Sequence, residues 1–148
     1  MTGTDYGSLS LFRDPTNLDG ERARELAFRN LEARGKSPDE VAARAEYLDL
    51  LGLQPGQRVL DVGCGSGVVT RDMARRVSPS GRAVGVDPSA EFLTIACGLA
   101  RAEGLAEVTE FREGSAFRAH GAIVAIGANR GKSRLWRAVR HPPKAVRS

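Results

Sequence analysis

Residues 59–67, Val-Leu-Asp-Val-Gly-Cys-Gly-Ser-Gly, constrain this chain more than any other stretch. A short apolar segment from Arg58 to Val62 reads as a buried strand, and glycines follow at 63, 65 and 67, the last opening a helix. Glycine lets the main chain turn sharply and leaves no Cβ between backbone and ligand. The first turn of a helix adds amides that point into the same space. A strand feeding such a loop belongs to an open α/β sheet, which binds its ligand beyond the carboxyl ends of the strands.

The flanking pattern agrees. A helix over 67–77 is ended by Ser78-Pro79-Ser80-Gly81, a second strand covers 83–86, a second helix covers 89–103 and is closed by Gly104, and a third strand covers 108–112. Such alternation predicts a parallel sheet with right-handed crossovers. The third strand is the most polar, which suits an edge. Upstream, Ala23, Leu26, Ala27 and Leu31 form one face of a helix over 19–34 that stops at Gly35. Ser37-Pro38-Asp39-Glu40 then reads as an N-cap, a proline at the first helical position and a capping-box glutamate, opening a helix that runs to Leu51. The expected fold is a partial doubly wound, Rossmann-like parallel sheet with two N-terminal helices. It divides into a loose lead-in at 1–18, helices at 19–54, a βαβαβ half-domain at 55–115 and a basic tail at 116–148.

Two carboxylates select the ligand. A dinucleotide fingerprint needs glycine where this chain has Val68, and Asp61, two positions before Gly63, would repel a diphosphate. A negative group there suits the ammonium and sulfonium of S-adenosylmethionine. Asp87 ends the second strand, twenty residues after Gly67, where an acid can accept hydrogen bonds from ribose hydroxyls. Pro88 cannot continue the ladder, so the chain leaves the sheet and keeps that carboxylate at the rim.

Asp61-Val62-Gly63-Cys64-Gly65-Ser66-Gly67 and Gly85-Val86-Asp87-Pro88-Ser89 resemble the first two motifs of the class I S-adenosylmethionine-dependent methyltransferases. The resemblance covers roughly residues 47–115, and within the family it is strongest to the small-molecule group that includes ubiquinone and menaquinone biosynthesis methyltransferases. It implies that Gly63, Gly65 and Gly67 shape the pocket for the methionine part of S-adenosylmethionine, that Asp61 helps to hold it and that Asp87 holds the ribose. Cys64, Pro88 and Ser115 complete the implied cofactor set. Ser115 stands where the family carries an acid for the adenine amino group, and Cys64 reads as a small filler of the turn. The implied reaction is methyl transfer to a small-molecule acceptor. No catalytic base is identified, and His120 and His141 read as incidental.

The charge distribution complicates that reading. All eighteen acids lie at or before Glu113, beside fourteen Lys and Arg, whereas Gly114–Ser148 carries eight Lys and Arg and no acid. Three readings of this end stay open. The preferred one is a chain truncated or read out of frame after about Ser115, because an acid-free, Arg-, Ala- and Pro-rich end is what GC-rich coding DNA yields in a wrong frame. About half of the family's sheet would then be missing, and with it most of the acceptor pocket, so the chain would bind cofactor without catalysis. The others are a solvated basic tail and a nucleic-acid contact through Arg130, Lys132, Arg134, Arg137 and Trp136, the least favoured. Residues 122–126 alone offer a further strand to cover the edge of the first. Cys64 and Cys97 suggest neither a disulfide nor a metal site. No secretory signal or membrane-length apolar run is present, so the expected compartment is the cytoplasm.

Overall fold

The computed structural model describes residues 19–114 and the backbone of 125–127. The lead-in, Ser115 and the rest of the basic tail lie outside the described residues.

The N-terminal rod begins with helix α1 (Gly20–Leu26), whose N-cap Asp19 accepts a hydrogen bond from the Arg22 amide. It continues as a π-helical stretch (Ala27–Glu32) and closes in a short α2 (Ala33–Gly35). The expected helix is therefore present, with a wider turn that the apolar spacing does not announce. Helix α3 (Pro38–Leu50) starts where the proline signal placed it. Its capping box does not form: Ser37 makes no side-chain cap, and the Glu40 carboxylate pairs with Arg34 at 3.1 Å. The Ser37 amide that the box would use donates instead to the Arg34 carbonyl at 3.0 Å.

Strand β1 (Arg58–Val62), helix α4 (Val68–Val77), strand β2 (Arg82–Asp87), helix α5 (Ala90–Ala102), strand β3 (Thr109–Glu113) and strand β4 (Ala125–Gly127) complete the order. The sheet runs β3-β2-β1-β4, with β1 parallel to both β2 and β4, and β2 parallel to β3. The polar β3 lies at an edge, as its composition predicts. Residues 125–127 cover the far side of β1, so the backbone ladder of this apolar strand is paired on both sides.

Register explains which side holds the site. Side chains alternate along a strand, and Val59 pairs with Ala83, Asp61 with Gly85, and Gly85 with Phe111. Asp87 lies two residues beyond Gly85, so Val59, Asp61, Ala83, Gly85, Asp87 and Phe111 share one face. That face carries the main core, where Val59 and Ala83 pack with Met73, Ala74 and Val77 of α4, Leu48 of α3 and Ala100 of α5. A smaller cluster joins Ala23, Leu26 and Ala27 to Phe92 of α5. The core thus anchors the N-terminal ends of the strands, and the two acids sit at the other end of the same face.

Met73 has no exposed surface. Its replacement by alanine is expected to cost about 2–5 kcal/mol in urea unfolding, from lost burial and the cavity left behind. Val41→Ala, at a site 44% exposed, should change stability by no more than about 0.5 kcal/mol.

Candidate cofactor site

The loop between β1 and α4 is held mainly by β2. The amides of Gly63 and Cys64 both donate to the Val86 carbonyl, at 2.7 and 3.1 Å. The Gly65 amide donates to Asp87 Oδ2 at 2.9 Å, and Asp87 Oδ1 accepts from the Ser89 amide at 2.9 Å. One carboxylate therefore ties the turn after β1 to the turn after β2. Ser89 in turn caps α5, its hydroxyl accepting from the Phe92 amide. Pro88 lies between these contacts, half-buried, at the point where β2 ends.

The three loop glycines meet different demands. Gly63 has φ +76°, is exposed, and faces open space where a Cβ would point. Its main chain is accessible to a ligand. Gly67 caps α4 in the left-handed region, φ +82°, and a Cβ there would lie 3.0 Å from the Phe111 ring and 3.2 Å from Ala96. It lets helix, sheet and α5 close together. A Cβ on Gly65 would come within 3.0 Å of Leu31 in the π-helical stretch.

Asp61 lies under the loop, 2% exposed, and accepts a 2.6 Å hydrogen bond from the Thr70 hydroxyl. Burial pushes its carboxyl up to about 6, with the Thr70 bond opposing and the Asp87 charge adding to the rise. Asp87 is 6% exposed and is also raised, by burial against the two amide bonds it accepts. The Cys64 thiol is raised by burial and then by Asp61 and Asp87, so it is held protonated between two acids. Its sulfur packs over Gly85, where a Cβ would lie 2.8 Å from it and 2.8 Å from Phe111. A buried thiol held protonated in this way is a poor nucleophile.

The structure thus brings Asp61, Gly63, Cys64, Gly65, Gly67, Asp87 and Pro88 to the carboxyl end of one sheet face. Ser115 lies outside the described residues. Sequence reasoning gave Gly85 no packing role and missed Thr70, Phe111 and the pair Glu32–Arg71, which binds Ser66 from outside the loop. Only Thr70 carried a usable signal, a hydroxyl one turn into the helix that follows the glycines. A cavity of about 260 Å³ is lined by Glu32, Lys36, Arg44, Arg71, Asp72 and Arg75 among others. It holds none of the expected cofactor residues. Among the described residues, no cluster of three or more His, Cys, Asp or Glu could hold a metal, and no helix is long and apolar enough to cross a membrane.

A parallel sheet with a glycine loop after its first strand and an acid at the end of its second is a doubly wound nucleotide-binding architecture. The model of the family described as Protein-L-isoaspartate(D-aspartate) O-methyltransferase matches residues 32–116, more than half of the chain, and the chain belongs to that family. The class I resemblance read from the two motifs is borne out. S-adenosylmethionine is the methyl donor of class I methyltransferases, in agreement with the cofactor expected from Asp61 and Asp87.

Relatives of both acceptor types appear. Nocamycin O-methyltransferase of Saccharothrix syringae is 40% identical over 62 residues, covering 42% of this chain and 22% of its own. Protein-L-isoaspartate O-methyltransferase of Triticum aestivum is 51% identical over 41 residues, 28% of this chain and 18% of its own. The chain therefore spans about a fifth of the length of these relatives. Among solved structures, precorrin 8W decarboxylase of Methanobacterium thermoautotrophicum superposes with a TM-score of 0.53 at 26% identity, over 62% of this chain and 50% of the other.

The buried acid yields a prediction. With a folded value near 6 against the ordinary 3.8, Asp61 favours the fold when protonated. That contribution is complete below pH 3.8 and is lost as pH rises through about 6. Asp61→Asn keeps an oxygen for Thr70 and removes the charge. It should stabilise the ligand-free protein at pH 7.5 by up to about 3 kcal/mol, and should flatten the fall in stability between these two pH values. Thermal unfolding over pH 4–8 measures both, and a lower melting temperature for the variant at pH 7.5 would contradict the assignment.

Proposed function

We propose that the cleft at the carboxyl ends of β1 and β2 binds S-adenosylmethionine, for methyl transfer to a small-molecule acceptor. The observation that carries this reading is the presence of two buried carboxylates, Asp61 and Asp87, on one face of the sheet beneath and beside the glycine loop. The residues fit the cofactor. Gly63 leaves an approachable backbone with nothing where a side chain would stand. Asp87 has an unused lone pair on each oxygen after its two amide bonds, enough for ribose hydroxyls. Asp61, 2% exposed, acts through its field, which favours a cation above the loop.

S-adenosylmethionine, when bound, supplies a methyl group already activated by the sulfonium. The chain's own residues then orient it: Asp87 fixes the ribose, Gly63–Gly67 seat the methionine part, and Asp61 complements positive charge. Alignment of donor and acceptor for in-line attack is the main catalytic contribution of such a site. Relatives named for nocamycin and ubiquinone biosynthesis support the small-molecule acceptor. The isoaspartate relative supplies the competing acceptor, a protein carboxylate. The reading sets this chemistry in the cytoplasm, where free thiols such as Cys64 and Cys97 persist.

A second reading, cofactor binding without turnover, is favoured by the family match itself, which falls on the stretch that carries the two cofactor motifs. Calorimetric titration with S-adenosylhomocysteine, paired with transfer of labelled methyl to phenolic and quinol acceptors and to an isoaspartyl peptide, separates the cases. Binding with transfer to the small molecules is the expected result. Transfer to the peptide alone reassigns the acceptor, binding without transfer supports the second reading, and no binding by folded protein ends both. Affinity for S-adenosylmethionine should also fall as pH drops below about 6, because protonation of Asp61 removes the charge that favours the sulfonium.

A further inference from the structure

Between Gly65 and Gly67 the loop is gripped by residues outside both motifs. Glu32, the last residue of the π-helical stretch, is 4% exposed, and its Oε1 accepts from the Ser66 hydroxyl at 2.7 Å. Its Oε2 accepts from Arg71 Nη2 at 2.8 Å, and Arg71 Nη1 donates to the Ser66 carbonyl at 2.8 Å. Ser66 is thus held by side chain and main chain together. Arg71 Nε lies 3.0 Å from Glu103 but out of line for a hydrogen bond.

The Glu32 and Arg71 side chains are each 5% exposed. A buried ion pair is a weak source of stability, because desolvation cancels much of the attraction and an apolar pair of similar volume does as well. What an apolar pair cannot supply is directed hydrogen bonding to Ser66. Leu31, the neighbour of Glu32, closes over Gly65 at the same point. Both contacts come from the N-terminal rod, more than thirty residues before the loop.

We infer that Glu32 and Arg71 are positioning residues for the cofactor loop, fixing the Ser66 peptide so that cofactor affinity depends on the docked N-terminal rod. This rests on the reading of the loop as an S-adenosylmethionine site. Hydrogen bonding to both ends of Ser66 sets the direction of the Gly65–Ser66–Gly67 peptide planes, and hence which amides face the cleft. Without the pair, the Ser66 peptides are held only through their neighbours, the Gly65 amide on Asp87 and the Gly67 amide on the Cys64 carbonyl, and the flanking glycines resist turning little.

The test uses the full chain with the double variant Glu32→Leu/Arg71→Met, the milder Ser66→Ala, and Arg76→Met as a control. Arg76 lies on the same helix and pairs with Asp49, away from the loop. Melting temperature, S-adenosylhomocysteine affinity and amide hydrogen exchange of residues 63–68 are measured for each. The double variant should melt below wild type, because it strips the buried Ser66 hydroxyl and carbonyl of these partners, yet stay folded, bind at least about tenfold more weakly and exchange its loop amides faster. Ser66→Ala should move affinity and exchange the same way by about threefold, the scale of one hydrogen bond, and the control should change neither. Unchanged affinity and exchange in a folded double variant overturn the inference, and if that variant fails to fold, unchanged values for Ser66→Ala do so. Should wild type itself not bind, the cofactor reading fails separately, and loop exchange alone still decides whether the pair positions the loop.

Discussion

Two main-chain amides, those of Gly65 and Ser89, converge on the carboxylate of Asp87. The rest of the site depends on that convergence. It locks the turn after β1 to the turn after β2, and the Val86 carbonyl reinforces the lock by accepting from Gly63 and Cys64. Charge-assisted bonds of this kind are stronger than neutral ones, and here they replace the sheet ladder where the strands end. A loop with three glycines would otherwise sample many conformations. Asp87 makes one of them the structure.

Each further feature follows from closing that loop tightly. Gly85 has no side chain because Cys64 and Phe111 meet over it, and Gly67 has none because Phe111 and Ala96 meet there. Asp61 is sealed beneath, with Thr70 as its hydrogen-bond donor among the described residues, and its burial disfavours the charged form. A buried charge held at such a cost is a stronger pointer to a site than a glycine, since glycines have packing reasons of their own. The N-terminal rod completes the closure through Leu31 and Glu32. Its π-helical turn brings both residues to the loop, and wide turns of this sort occur often at functional sites.

Local pattern carried most of the fold. Strand β1 matches its expected bounds, Arg58–Val62, because a short apolar run before a glycine triplet has few other solutions. The edge position of β3 was legible in its charges, and the pairing of 125–127 with β1 in the apolar run after Ala122. The capping box at Ser37 was misread because the Arg34 carbonyl, one turn earlier, takes the Ser37 amide. Of the site, Asp61, Asp87 and the glycines were legible because strand ends and spacing define them. Glu32 and Arg71 were not, since their partnership spans thirty-nine residues and no local period records it. The distinction among the glycines was also hidden, because it depends on neighbours from α5, β3 and the N-terminal rod.

The proposed ligand seat is the loop at Gly63 with the flank of Asp87. Titration of isotopically labelled protein with S-adenosylhomocysteine, followed by amide resonances, probes that seat residue by residue. Seating in the cleft moves the amides of 63–67 and of 87–89 together, at one common affinity. Shifts confined to residues around the cavity at Lys36, Arg44 and Arg75, or no shifts in a folded sample, would contradict it.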